Sequence, residues 1–206
     1  MRSHRLAPSL AALVLITASS FAIAQQPPTP SRVRGTIEAV DGDVLSVKSR
    51  NGEDVKLRMT ADVLVVGIIK IALSDIKVGS FVGATTVPGP DGGNNAVEVH
   101  VFPEAMRGTG EGHRPWDLMP NSTMTNATVD SEVAISDGQK LILKYKDGEK
   151  TFVVPANVVV VAFAPGSAAD LKAGEKVFVA AAAKQPDGTL TAARINVGRN
   201  GVTPPM

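Results

Sequence analysis

The 206-residue chain has no cysteine, one tryptophan, and 21 Lys+Arg against 20 Asp+Glu. The absence of cysteine excludes a disulfide framework, a thiolate metal site and a lipid-modified N-terminal cysteine. The charge balance leaves no electrostatic footprint for nucleic acid, whose binding rests on clustered cations neutralising phosphates.

Residues 1–24 read as a secretory signal peptide. Arg2, His4 and Arg5 form a basic start, Leu10 to Ile16 an apolar run, and Ala22-Ile23-Ala24 a small-x-small cleavage site before Gln25. The run is too short to span a bilayer. Cleavage between Ala24 and Gln25 would leave a soluble periplasmic or secreted product. Its balance would then be 19 Lys+Arg against 20 Asp+Glu, since Arg2 and Arg5 leave with the signal. Residues 25–31 begin Gln-Gln-Pro-Pro-Thr-Pro, a stiff extended leader.

Residues 32–102 carry five predicted strands. Val33 to Val40 alternates, Asp41-Gly42-Asp43 turns, Val44 to Val47 follows, and Asn51-Gly52 turns again. Val55, Leu57 and Met59 alternate with Lys56 and Arg58 in a third strand. After the apolar run Val63 to Ile71, Leu73 to Val78 predicts a short helical turn closed by Gly79. Phe81 to Val87 and Val97 to Phe102 complete the set.

Residues 124–198 repeat the plan. The predicted strands are Val129 to Ile135, Leu141 to Tyr145 and Thr151 to Val154, then a run from Val158 to Phe163. A turn over Ala168 to Ala173 stops at Gly174, before Val177 to Ala182 and Leu190 to Val197. Ser74-Asp75-Ile76-Lys77-Val78-Gly79 aligns with Ala169-Asp170-Leu171-Lys172-Ala173-Gly174, and the segment from Ala96 to Val101 with that from Ala192 to Val197. Three strands, a helical turn and two strands is the order of an OB-type barrel. The expectation is an all-β protein of two tandem five-stranded OB-like barrels, with a short helical turn between the third and fourth strands of each. A β-sandwich with one shared core is the alternative. A transmembrane β-barrel is disfavoured by short strands and absent aromatic girdles. Residues 199–206 read as a tail.

The opening Val-x-Gly-x-Ile-x-x-Val-Asp-Gly of residues 33–42, the two Asp-x-Lys-x-Gly elements and the closing strands resemble a family of bacterial exported OB-like domains of unknown function. The resemblance covers both halves and is closest over residues 33–102. It implies the fold and an exported compartment. Related sequences are sometimes labelled as metal-transport components, and the family carries no established catalytic residues to transfer.

Residues 103–123 connect the halves without strand or helix period, and connections this long are commonly functional loops or linkers. The segment holds Trp116, Met106, Met119 and His113. Large apolar groups here predict an ordered clamp in the groove between the barrels, with Glu111 and His113 at its rim. Trp116, Arg107, Arg114 and Glu111 are the candidate ligand or partner surface. His100, His113, Glu104 and Met106 offer imidazole, carboxylate and thioether for a transition metal, although the spacing matches no established metal motif. Outward exposure of His100, with Val97, Val99 and Val101 facing in, is the plainer reading of that strand.

Gly108-Thr109-Gly110-Glu111-Gly112 lacks the following helix and Lys-Ser/Thr of a phosphate loop. No Gly-x-Ser-x-Gly elbow or His-Glu-x-x-His signature is present. Asp41, Asp43, Asp75, Asp137, Asp147 and Asp170 fall at turns, where Asp bonds local backbone. The aromatics are too few for a nucleic-acid stacking platform. Together these observations predict a non-enzymatic binding or assembly module of the cell envelope, partnered by an envelope protein or a small ligand. A periplasmic metal-binding accessory protein is the alternative.

Overall fold

The computed structural model describes residues 30–90 and 92–204. The predicted signal peptide, and all of the leader but its last two residues, lie outside them. The described residues are all-β, with twelve strands and three one-turn 3-10 helices. From the first half come β1 (Ser31–Asp41), β2 (Val44–Ser49), β3 (Asp54–Lys70), β4 (Phe81–Pro88) and β5 (Asn94–Val101). The connecting segment adds β6 (Gly112–Pro115). The second half supplies β7 (Thr123–Ile135), β8 (Gly138–Tyr145), β9 (Gly148–Pro155), β10 (Val159–Pro165), β11 (Lys176–Lys184) and β12 (Leu190–Gly198).

The pairing departs from a tandem arrangement. A closed five-strand barrel runs β12-β11-β1-β2-β3 and returns to β12 through a parallel β3–β12 pairing. It takes its first three strands from one half and its last two from the other. Their order around the ring is first, second, third, fifth, fourth. Five of the remaining strands form the complementary set β5-β4-β7-β8-β9, whose ends meet at the single bridge Asn95–Val153, while β10 joins β3 to β5 and β6 pairs β7. The ranges 32–102 and 124–198 therefore mark the sequence repeat and not the sheets, because the halves exchange their last two strands.

Strand β3 makes the exchange possible. The sequence suggests a break between Met59 and Val63, but the structure has one continuous 17-residue strand. At about 3.3 Å per residue it is some 50 Å long. It thus delivers the following turn and β4 far from β1. Its second part pairs antiparallel with β10, with Ile68 opposite Phe163. These two residues have the same separation in sequence as Gly79 and Gly174, so a pseudo-twofold axis passes between them. Ile68, Val161 and Phe178 form a small core at this axis, packed by Trp116, Phe163 and Val202.

The repeated Asp-x-Lys-x-Gly element has a mechanical explanation. Asp75 and Asp170 accept hydrogen bonds from the backbone N–H of Ala72 (2.9 Å) and Ser167 (2.8 Å), capping the 3-10 turns Leu73–Asp75 and Ala168–Asp170. Ile76 is buried in the core of the β4-β5-β7-β8-β9 set, and Leu171 in that of the closed barrel. Gly79 and Gly174 have φ of +87° and +91°, which favour glycine. Each then donates its N–H across halves, Gly79 to Val129 O and Gly174 to Ile37 O, both at 2.8 Å. One short element thus caps a turn, plugs a core and stitches the exchanged strands.

Candidate functional site

The connecting segment contains regular structure that its sequence does not announce. A 3-10 turn covers Glu104–Met106, and β6 pairs antiparallel with β7 from Gly112–Asn126 to Pro115–Thr123. The chain then turns back on itself: Trp116 N–H donates to Ser122 O at 2.9 Å, and Ser122 Oγ donates to Met119 O at 2.8 Å. Asp117 pairs with Arg34 at 2.8 Å and with Arg32 at 3.3 Å. Burial raises the Asp117 carboxyl pKa, but the hydrogen bond and charge of Arg34, together with Arg32, outweigh it and hold the group below the ordinary carboxylate range. Arg50 donates to the carbonyls of Asp117 and Leu118. The Trp116 ring lies under Arg32, whose guanidinium is 4.3 Å from the ring centroid, with Arg114 at 5.5 Å.

Trp116 borders a cavity of about 220 Å³ beside the pseudo-twofold axis. Its walls come from β5, β7, β10, β11, β12 and the connecting segment. Phe102 stacks on Phe163 at 5.0 Å between centroids, and the His100 ring meets both edge-on, at 4.9 and 5.7 Å. His100 is only 2% exposed and Glu98 only 1%. This corrects the outward, exposed position expected of His100: β5 is covered on both faces, because the exchanged half lies against the side that would otherwise meet water.

The buried polar groups of this region divide in two. Thr85 Oγ1 donates to Glu98 Oε1 at 2.5 Å, and Glu98 Oε2 lies 3.2 Å from His100 Nδ1. These three side chains are hydrogen-bonded to one another. Three other buried atoms have no partner: Trp116 Nε1, Asn126 Oδ1 and Asn196 Oδ1. All three residues line the cavity. The Asn126 orientation is set by its Nδ2, which donates to Thr109 O at 2.9 Å. Buried polar groups are ordinarily hydrogen-bonded, and each orphan costs about 1–3 kcal/mol. Three around one cavity mark a place built to hold something polar.

Arg114 and Arg194 also border it. Burial lowers the pKa of both guanidinium groups. Arg114 donates to Gly110 O at 2.7 Å, and Arg194 Nη2 lies 3.5 Å from the Met106 sulfur. No carboxylate pairs with either among the described residues.

The residues singled out from sequence fall on several sites. Trp116, Arg114, His100 and Met106 share the cavity. Arg107 lies elsewhere, joining Glu104 (2.6 Å) to Gly79 O (2.9 Å). Glu111 accepts the Lys146 N–H, and His113 is exposed with Nδ1 2.8 Å from Thr125 Oγ1. The proposed metal set of His100, His113, Glu104 and Met106 is thus not assembled. Among the described residues no three His, Asp or Glu side chains are placed to hold a metal ion. Sequence reading missed Asn126, Asn196, Arg194 and Phe163. The only available signal was the alignment of His100 with Asn196 and of Glu98 with Arg194, polar pairs at equivalent places in otherwise apolar strands.

A larger cavity of about 700 Å³ lies between β1, β2 and β5, with Leu118, Met119 and Val159 in its wall. Two of its cations are already engaged, Arg34 by Asp117 and Arg50 by backbone carbonyls. None of the unpartnered buried atoms belongs to a residue lining it. The smaller cavity is the better candidate on chemistry. No helix among the described residues is long and apolar enough to cross a membrane. No family model, curated protein or solved structure matches the chain.

Proposed function

We propose that the protein is a non-enzymatic binding module of an exported compartment, periplasmic or secreted, built from two OB-like units joined by strand exchange. It takes a small ligand in the cavity at their junction. The observation carrying this reading is that three residues with a buried, unpartnered polar atom (Trp116 Nε1, Asn126 Oδ1 and Asn196 Oδ1) line one aromatic-walled space. Small-molecule sites join a mostly apolar wall to a few converging polar groups. The Glu98–His100 pair has the form of an oriented base, but among the described residues no hydroxyl is hydrogen-bonded to the imidazole. The partnerless polar groups on the residues lining this cavity suit a bound ligand, and a binding role is the reading they favour.

A ligand-observed NMR screen of small polar aromatic compounds tests the reading, with emission from the single tryptophan as local reporter. Hits should shift Trp116 emission and be lost in Asn196→Leu. A screen whose hits leave Trp116 unchanged would move the site elsewhere. Export is tested separately by mass spectrometry of the protein made in a bacterial host, which should begin at Gln25; an intact Met1 on membrane-bound material would refute it.

A further inference from the structure

The two halves contribute unlike chemistry at equivalent places around the pseudo-twofold axis. Glu98 and His100 of β5 correspond to Arg194 and Asn196 of β12. On β4 the facing positions are Gly83 and Thr85, and on β11 they are Phe178 and Ala180. Gly83 pairs with His100 and Phe178 with Asn196 across their ladders. In the first half, Thr85 completes the hydrogen bonding of Glu98, which in turn holds His100. In the second half, alanine replaces that hydroxyl. Arg194 is left with a thioether, a weak acceptor, and Asn196 Oδ1 with nothing. The polar groups of one half bond one another, while Arg194 and Asn196 of the other line the cavity without such partners.

We infer that the cavity binds a small planar organic acid. Its carboxylate is held by Arg194, with Arg114 and the Trp116 N–H supplying further donors. Its ring lies against Phe102 and Phe163, and a hydroxyl or N–H on the ring is donated to Asn126 or Asn196. This rests on the binding reading above and adds the class of ligand. The unmatched donors (Arg194 and Trp116 Nε1) call for an acceptor, and half-buried guanidinium groups lacking a carboxylate call for an anion. The unmatched oxygens of Asn126 and Asn196 call for a donor, which a simple inorganic anion does not provide. The aromatic walls favour a flat body. A volume of about 220 Å³ equals roughly seven waters at liquid density, enough for a substituted benzoate.

The experiment titrates the purified protein with 4-hydroxybenzoate and, separately, with 4-hydroxybenzyl alcohol, its uncharged analogue. Trp116 emission and calorimetry are the readouts. Saturable one-to-one binding of the acid, with the alcohol at least tenfold weaker, is expected. Arg194→Gln should weaken the acid roughly tenfold to a hundredfold, as loss of a charged hydrogen bond does, while leaving the alcohol unchanged. Its circular dichroism and melting curve establish that the variant is folded. Equal binding of acid and alcohol, both perturbing Trp116, would overturn the organic-acid assignment and leave the cavity as a binding site. Failure of both compounds to bind at millimolar concentration would overturn both readings.

Discussion

Gly83→Ala adds one methyl group, and the structure assigns it no room. A Cβ at this position would lie 2.0 Å from His100 Nε2, 2.3 Å from His100 Cε1 and 2.7 Å from Asn126 Oδ1. Real Cβ contacts are never so short, so His100 must move or β4 and β5 must separate. The imidazole has little freedom, with Phe102 and Phe163 edge-on to it and Glu98 on Nδ1. Overpacking a filled site costs about 1–3 kcal/mol, and stripping a buried group of its hydrogen bond another 1–3 kcal/mol. The expected loss is about 2–6 kcal/mol, large beside the 5–15 kcal/mol typical of a folded protein. For a chain of this size that corresponds to a fall in Tm of roughly 5–20 °C. Chemical and thermal denaturation of four proteins read it: the parent, Gly83→Ala, His100→Ala and the double variant. In the His100→Ala background the two closest contacts are gone and Asn126 Oδ1 is left of the three nearest atoms, so the glycine substitution should cost less than about 1.5 kcal/mol. Additivity of the two substitutions within about 0.5 kcal/mol would show that Gly83 and His100 are not coupled and refute the packing argument.

Strand exchange predicts that fragments 30–108 and 109–204 each lack a cooperative unfolding transition alone and recover one when mixed; an autonomous transition in either fragment would contradict the pairing of β1 with β11. Ile76→Ala and Leu171→Ala should each cost about 2–5 kcal/mol in denaturant melts, because each removes a fully packed core plug; a cost below 1 kcal/mol for either would mean that its turn is not anchored. Asp117 carries a depressed folded pKa, so the stability it contributes is fully present above the ordinary value of 3.8 and is lost as pH falls through the lower folded value. The stability difference between the parent and Asp117→Asn should therefore shrink on acidification, from at most about 1 kcal/mol given that the side chain is half exposed; a difference that grows at low pH would reverse the assignment. Trp116 emission should be blue-shifted, and cleavage by trypsin between Arg107 and Arg114 slow; water-like emission with rapid cleavage would mean that the connecting segment is loose in solution.

Much of this protein is local, and what is local is legible in its sequence. Alternating Val, Ile and Leu between Asp-Gly and Asn-Gly turns mark the hairpins, because side-chain period and positive φ are properties of a few adjacent residues. The two Asp-x-Lys-x-Gly elements reveal their 3-10 turns and the internal repeat for the same reason. Trp116 and its neighbours suggest an ordered segment because a large apolar ring is costly in water. Three features depended on tertiary structure alone. Which half each strand pairs with is settled by the unbroken length of β3, and every hairpin would look the same in a tandem or an exchanged arrangement. The strand β6 has no period of its own and exists because β7 offers it a ladder. The burial of Glu98 and His100 depends on the other half covering the outer face of β5, a contact between residues far apart in the chain. The same covering brings Asn126, Arg194 and Asn196 together around one cavity, and no spacing of these residues along the chain anticipates it.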